Sequence, residues 1–420
     1  MGDPAKILAV SLQTDLRQLS AEAKKKHPQI KDAAETCCER IRNIATKNDS
    51  SNFIRCLANA SAEVLHPLLM ACESKWPKLV QISLATIQKL VANAAIDENG
   101  ARCIINELAV LTDTGVEELR LLQTVTALLT TNTLVRGPLL AKCLVICFQL
   151  HLSGKDPSIC NAASATIRQL SSAVFERSVT ELKDRLETNA KLPDGGSGGN
   201  SQMKLSTPKA PPKTLGPFAA DCYSLFQDLC ILLSNDHKTS WLEGLSRIPK
   251  DLGLDLVESL LSKFTSVFRD TPEFNFLLKD QVCPLVIRLF SPNLKHCHPN
   301  ADLAQQQQYL DRPNFPIVMR LMRVVATLIT VYYSILVTEC EIFLSLILKL
   351  MDGDKTTWHR ALALEVLHKV TTQPDLLRTF CKHYDMRPHA TRVLQNIVTS
   401  LGGFVQASFI SRKESSRFIR

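Results

Sequence analysis

Apolar residues recur along this chain at helical spacing, and this periodicity limits its fold more than any other feature. One stripe consists of Leu8, Leu12, Leu16 and Leu19, at steps of four, four and three residues, which places all four on one face of an α-helix. One similar stripe consists of Leu122, Val125 and Leu129, and another of Leu394, Ile397, Val398, Leu401 and Val405. The alternation of apolar and polar residues that marks a half-buried strand is almost missing. The periodicity therefore predicts an all-α protein.

Proline and glycine divide the chain into segments of about one helix each, which predicts about fifteen helices. These breakers include Pro28, Pro67, Pro77, Gly100, Gly115, Pro138, Pro249, Pro272, Pro316, Pro374 and Pro388. A chain of 420 residues exceeds the ~250–300 residues that one core serves, so a single bundle is excluded. We expect an α-solenoid with degenerate armadillo or HEAT repeats of ~40–47 residues, because no tetratricopeptide or ankyrin signature occurs.

The segment from Lys191 to Leu215 differs in composition from the rest of the chain. It holds four of the 15 glycines and four of the 20 prolines. This composition is typical of a flexible linker, which we place at residues 191–214 between two helical regions. Its Gly-Gly-Ser-Gly-Gly run also resembles an engineered joint, so a naturally short loop and a shortened one both stay open.

Charge and cysteine content narrow the class of protein. The 49 basic and 41 acidic residues leave a net charge of +8, which falls short of a dedicated nucleic-acid binder. Most of the fourteen cysteines lie in apolar helical stretches, so we expect reduced packing residues in the cytosol. No signal-peptide pattern opens the chain. Val324 to Thr338 is too short to span a bilayer and is expected to be a buried helix.

Motifs of catalysis and metal binding are lacking as well. The sequence has no Gly-x4-Gly-Lys-Ser/Thr, no Gly-x-Gly-x-x-Gly and no His-Glu-x-x-His, so the common nucleotide and zinc-protease sites are not predicted. His296-Cys297-His298 are adjacent residues, which do not easily converge on one tetrahedral zinc ion. Cys37, Cys38, Cys143 and Cys147 lack partner pairs at zinc spacing and are expected to pack in the core. We predict no enzyme, no metal and no cofactor.

A basic cluster near the N-terminus is the first candidate binding surface. It lies beside Pro28, where two helices are expected to meet, and consists of Lys24, Lys25, Lys26, Lys31, Arg40 and Arg42. Each cation close to an anionic membrane contributes about 1 kcal/mol, so the cluster predicts contact with an anionic membrane or an acidic partner. A solvated helix end with cations near its C-terminus is the alternative interpretation.

The polar segment from His383 to His389 is the second candidate. With Pro388 in a first helical turn, Asp385 is predicted to be the N-cap that accepts a backbone N–H of the following helix. The alternative is a docking surface, formed by His383, Tyr384, Asp385 and Met386, that presents polar contacts to an adjoining domain.

Three runs of sequence resemble the N-terminal part of the Mon-two family, relatives of the large Arf guanine-nucleotide exchange factors. These runs are Ser11 to Pro28, Glu117 to His151 and Gly216 to Leu229. The resemblance spans essentially all 420 residues. It implies a dimerisation and cyclophilin-binding domain over 1–190, the linker at 191–214, and a homology-upstream domain over 215–420.

The exchange factors carry a short box, Asn-Tyr-Asp-Cys-Asp, in the second of these domains. Here the corresponding residues run from His383 to Arg387, and only Tyr384 and Asp385 match. These departures fit a family that lacks the catalytic exchange domain. The resemblance therefore implies no catalytic residue in this chain.

The family resemblance also implies a function. It implies a non-catalytic scaffold of endosome-to-Golgi transport, cytoplasmic and peripheral on trans-Golgi and endosome membranes. The implied partners are an Arf-like small GTPase, a Dopey-type protein, an anionic membrane surface and a second copy of the chain, but no nucleic acid. Two alternatives stay open: the targeting or autoinhibitory half of an active exchange factor, and an armadillo-type cargo adaptor.

Overall fold

The computed structural model describes residues 4–47, 50–131, 134–154, 156–189, 211–234, 239–290 and 315–417. All regular secondary structure in these ranges is helical. By compactness the chain forms two units, one of residues 1–228 and 238–248, the other of residues 229–237 and 249–420.

The first unit is built from ten helices of the described chain, the last of which, α10, continues into the second unit. They are α1 (Pro4–Ala23), α2 (Pro28–Lys47), α3 (Ser50–Asn59), α4 (Ser61–Glu73), α5 (Pro77–Ala92), α6 (Glu98–Thr112), α7 (Glu118–Thr131), α8 (Pro138–Ser153), α9 (Pro157–Asn189) and α10 (Pro217–Ser234). From α4 to α8 each helix packs on the next but one, as α4 on α6, α5 on α7 and α6 on α8. This is the stacking expected of a helical repeat array.

The second unit contains shorter helices and two π-helical segments. The helices are α11 (Lys250–Lys263), α12 (Thr265–Asp270), α13 (Pro272–Leu277), α14 (Cys283–Phe290), α15 (Phe315–Val331), α16 (Val337–Lys349), α17 (Thr357–Thr371), α18 (Pro374–Phe380) and α19 (Val393–Arg417). The π-helical segments are Leu278–Val282, between α13 and α14, and Cys381–Asp385, after α18. The predicted all-α, armadillo/HEAT-like fold is confirmed. The described residues form more helices than the number, about fifteen, that the proline and glycine breakers predict.

Proline explains where many of the helices begin. Eight of those described start with proline, namely α1, α2, α5, α8, α9, α10, α13 and α18, because its fixed φ suits the first helical position and its missing N–H costs nothing there. Two predicted breakers behave differently. Pro67 lies inside α4, and Gly100 lies in the first turn of α6, where a side chain would collide with Ser61 and Leu65.

Apolar stripes form the core, as the periodicity predicts. Leu8, Leu12, Leu16 and Leu19 of α1 are all buried. Burial of one such leucine side chain stabilises the fold by about 1.5–3 kcal/mol. The stripe therefore fixes which face of α1 packs against α2 and α5.

The predicted buried helix from Val324 to Thr338 is interrupted in the structure. Helix α15 ends at Val331, and a turn over residues 332–336 leads into α16. Tyr332 is buried in this turn, and its hydroxyl donates a 2.6 Å hydrogen bond to the carbonyl of Leu261. The apolar run therefore forms two helices joined by a buried turn. Among the described residues, no helix is both long and apolar enough to cross a bilayer.

Three carboxylates, of which Asp221 and Asp228 are buried, fasten the first part of α10 within the first unit. Glu181 of α9 accepts the backbone N–H of Ala219 at 2.7 Å, and Asp221 accepts that of Gly137 at 2.9 Å. Asp228 is fully buried and accepts the N–H groups of Trp241 and Leu242 at 2.8 and 2.7 Å. The predicted linker at 191–214 lies mostly outside the described residues, and the domain bounds 1–190 and 215–420 stay predictions.

Candidate functional site

The basic cluster predicted near the N-terminus falls into two parts. Lys24, Lys25 and Lys26 occupy the turn between α1 and α2, and all three are exposed. Lys31, Arg40 and Arg42 lie further along, on α2 itself. The six residues are therefore spread over a turn and a helix.

Lys31 and Arg40 of α2 form ion pairs with neighbouring acids. The Arg40 guanidinium lies 2.8 Å from a carboxylate oxygen of Glu63, and the Lys31 ammonium lies 3.8 Å from oxygens of both Asp32 and Glu35. Exposed pairs of this kind contribute ~0–1 kcal/mol to stability. These ion pairs have little net charge. The turn with Lys24, Lys25 and Lys26 therefore carries most of the positive charge of the cluster that no acid neutralises.

A second turn, between α4 and α5, adds an aromatic ring to these lysines. The Lys26 ammonium lies 3.7 Å from the ring centroid of Trp76, within the range of a cation–π interaction. Trp76 is 38% exposed, and Lys75 and Lys78 beside it are exposed as well. We name six residues, five in the two turns and Lys78 at the start of α5, the basic tip: Lys24, Lys25, Lys26, Lys75, Trp76 and Lys78.

The sequence contains a signal for this tip that spacing arguments on single helices miss. Lys26-His27-Pro28 and Lys75-Trp76-Pro77 share the order lysine, aromatic, proline. In each case the proline opens the helix that follows. The spacing of the two runs along the chain is close to the ~40–47 residues of an armadillo or HEAT repeat. Equivalent turns of neighbouring repeats therefore meet in space.

The backbone of the second turn is held in one conformation. The Trp76 N–H donates to the Ser74 hydroxyl at 3.3 Å, and the Trp76 carbonyl accepts the N–H of Val80 at 3.0 Å. Lys75 has a φ of 56°, which only a few per cent of non-glycine residues adopt. The turn therefore presents Lys75 and Trp76 in a fixed arrangement.

In the second candidate, His383 and Tyr384 have their polar atoms engaged internally. Tyr384 is buried, and its hydroxyl donates to the carbonyl of Val337. Burial raises the pKa of this phenol well above its ordinary value. His383 Nδ1 lies 3.1 Å from the Tyr333 hydroxyl, and the two rings are stacked. Both residues belong to a π-helical segment, a feature that is frequent at functional sites.

Asp385 has the predicted capping role, although not through the predicted local geometry. Its carboxylate accepts the N–H of Leu394 at 3.0 Å and that of Gln395 at 3.2 Å, at the start of α19. Pro388 does not lie in a first helical turn, because the chain forms a loop over residues 386–392 before α19 begins at Val393. Asp385 therefore caps a helix eight residues away.

Exposed apolar side chains lie near this segment. Met386 is 74% exposed. In the stripe predicted near residue 400, Ile397 is buried, but Val398 and Val405 are 69% and 49% exposed. The stripe is thus only partly covered within the described residues.

The four cysteines singled out in the sequence carry free thiols. Cys37, Cys38, Cys143 and Cys147 are buried, as the prediction of core packing requires, and burial raises the pKa of Cys37 and Cys143 to about 12. Such thiols stay protonated near neutral pH and are poor nucleophiles or ligands. Within the described ranges no group of His, Cys, Asp and Glu is arranged to hold a metal ion. His296-Cys297-His298 lie outside those ranges.

Comparison with protein families gives two matches along the chain. Residues 4–182 match the Mon2/Sec7/BIG1-like dimerisation and cyclophilin-binding (DCB) domain. Residues 218–300 and 306–393 match the Mon2/Sec7/BIG1-like HUS domain. Both candidate surfaces fall inside these matches, the basic tip in the first and residues 383–386 in the second.

Similar curated proteins are found in several animals. The chain is 46% identical over 405 residues to a Protein MON2 homolog of Xenopus laevis and 45% identical over 408 residues to that of Homo sapiens. A Protein MON2 homolog of Caenorhabditis briggsae is 45% identical over 425 residues. These alignments cover 96%, 97% and 98% of the chain but only 23%, 23% and 25% of the relatives, so the chain spans about a quarter of their length. By its two domain matches and these relatives, the chain belongs to the Mon2 family of Sec7/BIG1-like proteins.

Proposed function

We propose that this chain is the docking part of a non-catalytic scaffold in endosome-to-Golgi membrane trafficking. The observation that carries the proposal is the succession of a DCB and a HUS domain along most of the chain. Stacked helices expose long surfaces for partners. The scaffold binds an Arf-like small GTPase and a Dopey-type protein, and it lies peripherally on trans-Golgi and endosome membranes.

Capture of a small GTPase tests the central claim. The immobilised full chain is exposed to Arf-like GTPases loaded with GTP or with GDP. An effector scaffold retains the GTP form in excess, because binding depends on the nucleotide-ordered switch segments. Equal retention of the two forms favours an armadillo-type cargo adaptor, and no retention contradicts the proposal.

A nucleotide-release assay separates the scaffold from an exchange factor. With fluorescent GDP on Arf-family GTPases, the chain is expected to leave the release rate unchanged. Acceleration would contradict a non-catalytic scaffold. A longer protein of the family that accelerates release while this chain does not would identify the chain as the targeting or autoinhibitory half of an exchange factor.

Exposed Met386 is proposed to belong to a docking surface together with His383, Tyr384 and Asp385. Because only Met386 among them is strongly exposed, Met386→Glu is the variant that changes the surface and not the core. Val110→Glu is the matched control, since Val110 is 51% exposed on α6. Loss of partner capture in the first variant alone is expected, and equal capture by both contradicts the docking role.

Self-association is the remaining part of the proposal, and the description of the DCB family as a dimerisation domain supports it. Light scattering of the full chain is expected to give a mass near twice 46.7 kDa. A mass of one chain at every concentration would contradict the homodimer.

A further inference from the structure

The basic tip combines charge and aromatic surface in a way that neither turn achieves alone. Two loops far apart in the sequence meet where the Lys26 ammonium lies 3.7 Å from the Trp76 ring centroid. Lys24 and Lys25 precede Lys26 on the first turn, Lys75 precedes Trp76 on the second, and Lys78 follows at the start of α5. All five lysines are exposed.

Acidic groups near the tip compensate only part of this charge. Glu22 lies 3.6 Å from the Lys78 ammonium, and Glu73 ends α4 just before the second turn. A third acid, Glu107, interacts with both Glu73 and Lys75, so five lysines against three carboxylates leave a net charge of +2. Such a cluster is attracted to a surface of anionic lipid headgroups.

Trp76 adds an apolar surface to the positive charge of the lysines. An indole has an apolar body and a polar N–H, so tryptophan is enriched at the level of lipid headgroups. The lysine beside the ring can keep its ammonium at phosphate level while its methylene stem follows the apolar surface. Because hydrogen bonds fix the second turn, little conformational entropy is lost when the ring enters a bilayer.

We infer that the basic tip is the membrane-contact site of this chain, in which the lysines bind anionic headgroups and Trp76 enters the interfacial layer. This inference rests on the proposed peripheral membrane association. It selects lysines 24–26 from the predicted basic cluster and sets Lys31 and Arg40 aside, because those two face acids on the protein itself.

Vesicle flotation with charge-matched variants tests the lysines. The full chain, Lys24→Gln/Lys25→Gln and Lys31→Gln/Arg40→Gln are floated with phosphatidylcholine vesicles, with and without phosphatidylserine. Both variants lose two positive charges, but we expect about thirtyfold weaker binding in the first and little change in the second, from the typical contribution of a lysine near an anionic surface. Equal weakening would show a general charge effect and overturn the site. Circular dichroism verifies that both variants keep their helices.

Fluorescence tests the role of Trp76 separately. With Trp241→Phe and Trp358→Phe, Trp76 is the single tryptophan of the chain, and its emission is expected to shift to the blue and to be quenched by brominated lipid. Binding without quenching would place the contact elsewhere and overturn the inference. Trp76→Ala is expected to weaken flotation while the helical signal is retained.

Three further outcomes separate this inference from the proposed function. If the Lys24→Gln/Lys25→Gln variant floats normally but no longer binds an immobilised acidic peptide, the tip serves a protein partner and the membrane inference is wrong. If the same variant still captures GTP-loaded Arf-like GTPase, the scaffold proposal survives that failure. If flotation fails for the wild-type chain on every vesicle, the peripheral membrane association itself is contradicted.

Discussion

The basic tip and the segment from His383 to Met386, which ends a π-helical segment, are both polar, yet their side chains are used differently. At the tip all five lysines are exposed, and the Lys26 ammonium lies over an exposed indole. In the other segment Tyr384 and Asp385 bond to backbone groups of α16 and α19. Polar composition alone therefore does not identify a binding surface. What decides is whether neighbouring helices offer partners that consume the polar atoms.

The largest effect that can sharpen this comparison is expected at Tyr384. Tyr384→Ala removes a buried aromatic ring, and large-to-small changes of this kind cost about 3–5 kcal/mol of unfolding free energy. Tyr384→Phe removes only the hydroxyl bonded to Val337 and is expected to cost about 1 kcal/mol. Urea unfolding followed by circular dichroism measures both. If Tyr384→Ala is tolerated without loss, the residue is not the structural element described.

The burial of the Tyr384 phenol should also lower the unfolding free energy at alkaline pH. The folded-state pKa of Tyr384 lies above the unfolded value of 10.0, so its contribution to stability is full below pH 10 and is lost as the pH rises further. Above that pH the unfolding free energy is expected to fall by up to about 1.4 kcal/mol per pH unit for this group. Urea unfolding between neutral pH and pH 11 should show a shallower fall for Tyr384→Phe. The same slope in both proteins would argue against a buried, neutral phenol.

A smaller effect is expected at Asp385. Asp385→Ala leaves the N–H groups of Leu394 and Gln395 without their acceptor, and loss of such a cap costs about 0.5–2 kcal/mol. Asp385→Asn is the control, because asparagine caps helices about as well as aspartate. A midpoint of urea unfolding that drops for alanine and not for asparagine would confirm the capping role. Equal midpoints for all three proteins would leave Asp385 free for a partner.

The smallest effect on stability is expected at the tip. Lys24→Gln/Lys25→Gln alters exposed groups and should change the unfolding free energy by no more than about 0.5 kcal/mol. Lys31→Gln/Arg40→Gln breaks exposed ion pairs and should cost up to about 1 kcal/mol. The variant expected to lose more stability, Lys31→Gln/Arg40→Gln, is therefore the one expected to lose less vesicle binding. A large loss of stability in the first would mean that the tip lysines serve the fold.

Much of the fold follows from local sequence, for reasons that are themselves local. The leucine stripe of α1 predicts both a helix and its buried face, because side chains three and four residues apart lie on one side of a helix. Proline opens eight of the described helices for the same kind of reason. A prediction failed at the apolar run from Val324 to Thr338, which forms two helices joined by a turn in which Tyr332 bonds to the distant Leu261.

The candidate sites were less predictable than the fold. Lys24, Lys25 and Lys26 could be proposed from composition, but their contact with Trp76 joins turns far apart in the sequence, which spacing within one helix does not indicate. Likewise Asp385 was expected to cap a helix, yet the helix that it caps begins eight residues later. Hydrogen-bond partners of a polar side chain depend on loop paths, which periodicity does not describe.

The sequence by itself determined that this chain is helical, which faces of many helices are buried, and to which family it belongs. Only the tertiary structure decided which polar residues remain available to a partner. The physical reason is range: helix periodicity and proline geometry act over a few residues, whereas the Lys26–Trp76 contact joins turns whose meeting depends on how successive helices stack. Stacking is set by packing across the core, so the basic tip exists only in the folded protein.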